Sequence, residues 1–173
     1  MQGKIKIKPI IIKKMERKFN YLEWLDYYRN EIEKIKEHSP FLATSCICSG
    51  IEYIGWLLSE DSFDTRNKSR EYFDNAIKTM ESLKKYEAMN LYERIRCGLA
   101  HCISTKDGVV LSSERETATG CILTINVNVL FEDFCAAVES IKKECKNPVA
   151  KEYYVFIIDE TSTGTTTTFI NNQ

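Results

Sequence analysis

The stretch Phe41–Leu58, FLATSCICSGIEYIGWLL, is almost unbroken in apolar and small residues over eighteen positions, so whatever covers it sets the architecture. A membrane span fits the length alone. Glu52 in its middle argues against one, because a charged side chain at a bilayer centre costs about 2.5–3.5 kcal/mol. Ser45, Ser49, Gly50 and Gly55 dilute the run further. A helix apolar on every side is also what the centre of a helical bundle requires. The stretch therefore reads as a core helix, with no membrane involved.

The flanking residues carry helical periods. Met15, Phe19, Leu22, Leu25, Tyr28, Ile32 and Ile35 recur every three or four positions, which predicts an amphipathic helix over 14–37. His38-Ser39-Pro40 ends it, and Ser39 with Pro40 opens the core helix as N-cap and first-turn proline, running to about Ser59. Ser62 or Asp64 is expected to cap a third helix with Phe73, Ile77, Met80 and Leu83 on its apolar face. A fourth is expected around Ala88–His101, with Met89, Tyr92, Ile95 and Leu99 on one stripe. Short connections favour an antiparallel four- to five-helix bundle, a mainly α fold with α+β character.

Beyond residue 102 the pattern mixes. Gly108–Ser113 and Gly120–Asn128 are β-rich runs around ERETAT and read as a hairpin. Asn128 is expected to cap a helix through Val129, Phe134, Val138 and Ile141, ended by Asn147-Pro148. Tyr153–Ile158 and Thr165–Ile170 suggest a second hairpin, since threonine favours strands.

At 173 residues with 43% hydrophobic content, the chain is expected to be one domain over 1–173. Its parts are a basic arm or edge strand (1–14), a bundle core (15–102), a hairpin (103–128), a helix (129–147) and a C-terminal hairpin or tail (150–171). The formal net charge of −1 advertises no general nucleic-acid binder, although residues 1–18 hold a local +6. That charge suits steering of an RNA strand, and equally a lysine-faced edge that resists aggregation. The N-terminal apolar run is broken by lysines and Pro9, unlike an export signal, so a cytoplasmic location is expected. Seven cysteines then read as reduced thiols. None of Cys46, Cys48, Cys97 and Cys102 has the C-x₂-C spacing of a zinc knuckle, and no metal or cofactor is expected. No Gly-rich phosphate loop and no Ser-His-Asp signature is present.

Chemistry concentrates in residues 91–102, LYERIRCGLAHC. Arg96 precedes His101 by five positions and Arg94 by seven. This R-x₄₋₆-H pattern, late in a helical bundle, resembles the HEPN superfamily (higher eukaryotes and prokaryotes nucleotide-binding domain). The wider form Y-x-x-x-R-x-G-L-x-H is similar to a bacterial group with the same bundle and no assigned activity. The resemblance spans about residues 15–145, while its specific part is under a dozen residues. It implies a HEPN-like bundle, a homodimer with a composite site, and metal-independent ribonuclease activity on RNA with Arg96 and His101 as catalytic residues. It also implies toxin–antitoxin or defence settings with an antitoxin-like protein partner, or a module that only binds or dimerises. Cys97 stands where active members commonly carry Asn, Asp or His.

The residue chemistry stands apart from the family. Cleaving RNA without a metal needs a base for the 2′-hydroxyl, an acid for the leaving 5′-oxygen and cations for the phosphorane charge. Histidine serves the first two and arginine the third. With only His38 and His101 in the chain, and His38 at a helix end, one protomer lacks an obvious second acid/base, which the composite dimer site implied by the resemblance would supply. On a straight α-helix Arg96 and His101 stand about 140° apart and Arg94 and His101 about 20°. Arg94 is therefore a reserve phosphate contact. The plainer alternatives are a C-terminal helix cap for His101 and a structural bridge from Arg96 to Glu52 or Glu93. Glu52 is the most anomalous residue by environment, because a buried carboxylate needs a partner.

Overall fold

The computed structural model describes residues 19–59, 68–102, 104–113 and 123–144. The chain divides into two compact units, Leu25–Asn147 and a second that groups Met1–Trp24 with Pro148–Gln173. Of the second unit only residues 19–24 are described. The expected 1–14 arm and the C-terminal hairpin lie outside the described residues; the third helix has its N-cap at Lys68, with no side-chain capping hydrogen bond, which corrects the expected cap at Ser62 or Asp64.

Helix α1 covers Tyr21–Ile35 and starts later than residue 14. The physical cause is local. Asn20 Oδ1 accepts the Leu22 and Glu23 amides at 3.0 and 2.9 Å, while Glu23 Oε2 accepts the Asn20 amide at 2.9 Å. That reciprocal pairing is a capping box, and it ends the helix on its N-terminal side.

Within the larger unit, α2 (Pro40–Leu57) is the centre. It packs against α3 (Ser69–Thr79), α5 (Val127–Glu144), the Tyr92–Cys102 segment and the first strand. Ile47, Ile51, Ile54 and Trp56 are fully buried, as an all-apolar helix demands. Pro40 opens the helix and Ser39 holds the N-cap position, but its side chain makes no capping hydrogen bond. Gly55 permits the close crossing with α3, since a Cβ there would stand 1.6 Å from the Tyr72 carbonyl oxygen. Among the described residues no helix is long and apolar enough to cross a membrane.

Met80 and Leu83 do not extend α3. The helix stops at Thr79, Met80 turns extended, and a 3₁₀ helix follows over Glu81–Met89. Met80, Leu83 and Tyr86 are spaced by three and all buried, which is the period of a 3₁₀ turn and not of an α-helix. Asn90, left-handed at φ 49°, then ends that helix. Helical structure resumes at Leu91, later than the expected Ala88, and Leu91, Ile95 and Leu99 form the buried stripe.

The β-rich runs do pair, as β1 (Val109–Ser112) and β2 (Leu123–Asn126). They run parallel, in register Val109↔Leu123 to Ser112↔Asn126, so the expected hairpin is corrected. Period-two alternation fixes which face is buried but carries no strand direction. The expected Asn128 cap is also corrected. Asn126 Oδ1 accepts the Val129 backbone amide at 3.0 Å, whereas the Asn128 side-chain Nδ2 donates to the Ser113 carbonyl at 3.1 Å. Among the described residues the fold is thus mainly helical, with a small two-stranded parallel sheet.

Candidate functional site

The motif lies on a helix that changes pitch along its length. Tyr92–Cys97 forms a π-helical turn carrying Arg94 and Arg96, and a short α segment, α4 (Gly98–Cys102), carries His101. Such wide turns cost backbone geometry and recur at functional positions. Gly98 lets the following chain fold back on it, since a Cβ there would stand 2.3 Å from the Ser104 carbonyl. The Lys106 amide donates to the Arg94 carbonyl at 2.8 Å and secures the return. Asp107 and Gly108, both at positive φ, then form the tight turn that leads into β1.

Arg96 meets Glu52 from α2. Its Nε and Nη2 both donate to Glu52 Oε2, at 3.1 and 2.9 Å. The Glu52 side chain is 11% exposed and the Arg96 side chain 23%, so the pair lies at the edge of the core with the guanidinium on the wetter side. Arg96 Nη1 has no hydrogen-bond partner among the described residues. One helical turn before Glu52, the Cys48 thiol is pushed up to about 12 by burial, with the Glu52 charge adding to the rise and Arg96 opposing it.

Glu93 does not hold Arg96; it pairs with Arg70 at 2.9 Å. Arg94 reaches Asp107 only at 3.9 Å, a loose surface contact of little energetic weight. His101 is exposed, and no hydrogen bond or ion pair among the described residues engages its imidazole or joins it to Arg96. The structure therefore brings together Arg96 and Glu52, and leaves Arg94 and His101 outside that pair.

Tyr92, expected on a packing stripe and as the first residue of the wider motif but with no role for its ring, lies beside two arginines. The guanidinium carbons of Arg70 and Arg96 lie 5.8 and 5.5 Å from its ring centroid. Phe73 meets the ring edge-on at 5.5 Å, and the hydroxyl donates to Ser69 Oγ at 3.1 Å. The signal available was the Tyr-x-x-x-Arg spacing, which sets Tyr92 and Arg96 on neighbouring turns of one face. Among the described residues, no group of three or more His, Cys, Asp or Glu side chains is arranged to hold a metal ion.

No family model matches the chain, and no curated protein or solved structure matches it.

Proposed function

We propose that this chain is a HEPN-like protein that acts on RNA as a homodimer, cleaving it without a metal through Arg96 and His101. One observation carries the proposal. A partly exposed guanidinium is oriented by a buried carboxylate on one edge, its remaining Nη1 is unengaged among the described residues, and an exposed imidazole follows within two turns. In the proposed reaction His101 takes the proton of a 2′-hydroxyl, and that oxygen attacks the adjacent phosphorus to form a 2′,3′-cyclic phosphate. The 5′-oxygen leaves with a proton from the partner's His101. Arg96 Nη1 donates to a non-bridging phosphate oxygen as negative charge builds. The π turn and the fixed guanidinium support this chemistry because preorganised donors need no rearrangement at the moment of reaction.

RNA cleavage in EDTA by wild type, Arg96→Ala and His101→Ala tests it. Loss of His101 is expected to lower the rate by about 10²-fold or more. Equal activity in all three proteins refutes the assignment. A second reading is a non-catalytic module of the same class that binds a partner protein or nucleotide. The engagement of Arg96 with Glu52 inside its own subunit favours it, because a carboxylate neutralises much of the charge a phosphorane needs. RNA or partner binding without cleavage by the wild type selects that reading.

A further inference from the structure

A groove of about 200 Å³ lies between α3 and the 3₁₀–π segment, next to the motif and separate from the Arg96–Glu52 pair. Phe73 and Leu91, both buried, give it an apolar floor, and Tyr92 forms one wall. Around the rim stand Arg70, Lys78, Asp74 and Glu87, two cations and two carboxylates that leave no net field. Arg70 is already paired with Glu93 and Asp74. The side chains of Lys78, Glu87 and Asn90 are exposed and make no hydrogen bond or ion pair among the described residues. The groove thus offers an unengaged ammonium, carboxylate and carboxamide above apolar and aromatic surface.

We infer that this groove takes a nucleobase of single-stranded RNA, a base carrying an exocyclic amino group, beside the phosphodiester assigned to Arg96 and His101. The inference rests on the proposed action on RNA. Each feature of the groove answers one property of such a ligand. Its volume is below the 300–1,000 Å³ of sites for drug-sized molecules, so it holds one ring and not an extended ligand. Tyr92 and the Arg70 guanidinium are flat π-surfaces of the kind on which unpaired bases stack. A carboxylate accepts from an exocyclic amino group and a carboxamide both donates and accepts, which is edge recognition of a base. Lys78 is placed for the phosphate of the same nucleotide. A free anion is disfavoured by Asp74 and Glu87, and a free cation by Arg70 and Lys78. Tyr92 links groove and motif physically, because the same ring lies under Arg70 of the groove and Arg96 of the motif.

The test is equilibrium binding of 2′-O-methyl oligo-C, oligo-A and oligo-U of equal length, which cannot undergo 2′-hydroxyl attack, to the full chain. Fluorescence anisotropy is measured for wild type, Glu87→Gln, Asn90→Gly and Lys78→Gln. Asn90→Gly removes the carboxamide and keeps the left-handed backbone unstrained. Oligo-C and oligo-A are expected to bind about tenfold more tightly than oligo-U, the worth of one good edge contact. Glu87→Gln is expected to collapse that preference. Asn90→Gly and Lys78→Gln weaken all three oligomers. Absence of binding, a base preference untouched by Glu87→Gln, or affinities untouched by Asn90→Gly and Lys78→Gln, overturns the inference. Groove-dependent binding with no cleavage of ordinary RNA overturns the nuclease alone. Cleavage with binding indifferent to the groove variants overturns the groove alone.

Discussion

Glu52 and Arg96, 44 residues apart in the chain, share one carboxylate oxygen between two guanidinium nitrogens at the edge of the core. The central helix thereby reaches the motif-bearing helix through a charge as well as through packing. Removing one member of a desolvated pair strands the other, which is why such pairs are costly to break one side at a time.

Arg96→Ala is accordingly expected to destabilise the fold by about 3 kcal/mol, the low end for a broken buried pair because the guanidinium is partly hydrated. Glu52→Leu combined with Arg96→Met is expected to cost less than the sum of the single changes. Urea denaturation midpoints of the two single variants and the double variant decide this, and strict additivity contradicts the coupling.

Gly55 and Gly98 face backbone, not flexible side chains. Gly55→Ala drives a methyl into the Tyr72 carbonyl and is expected to cost about 3 kcal/mol or more, since two helices must separate. Gly98→Ala meets the Ser104 carbonyl at 2.3 Å and the Thr105 Cα at 3.3 Å on a short return segment, so a smaller loss is expected, accompanied by displacement of residues 104–106. Thermal unfolding of both variants, with backbone amide shifts for Gly98→Ala, checks the order.

Stability should fall on the alkaline side. Burial holds the Cys48 thiol at about 12 against an ordinary 9.0. Burial also raises Tyr28 and Tyr86 above 10.0, with Cys46 adding to the first and Asp133 to the second. The unfolded chain releases these protons first, so the stabilisation is complete below about pH 9 and is lost as pH climbs through the raised values. The slope for a fully buried group is about 1.4 kcal/mol per pH unit. Chemical denaturation from pH 8 to 11 reads it, and Cys48→Ala is expected to remove the earliest part of the decline. An unchanged profile in that variant contradicts the assignment.

The N-terminus of α5 gives the simplest test of local structure. Asn126→Ala removes the acceptor of the Val129 amide and is expected to cost about 1 kcal/mol. Asn128→Ala loses an exposed contact to Ser113 and is expected to cost less. Melting temperatures in the reverse order contradict the cap.

Periodicity made the helices legible. The uninterrupted apolar face of Phe41–Leu58 announced a core helix, and its Glu52 announced the need for a partner. It also named Arg96 among the possible partners, because that residue is a nearby cation on a helix of the same bundle. Where the pattern misled, a second local rule had won. Asn20 and Glu23 closed the first helix before its apolar spacing ran out, and the three-residue spacing of Met80, Leu83 and Tyr86 belonged to a tighter helix.

The sequence by itself determined which segments are helical, which faces are apolar and that a buried carboxylate had to be matched, since these follow from interactions a few residues long. Tertiary packing alone decided that Arg96 chose Glu52 over Glu93, that Tyr92 lies under two arginines, and that β1 and β2 run parallel. Those outcomes depend on which surfaces approach once α2 is enclosed. Neither alternation nor spacing along the chain carries the distances between elements that settle them.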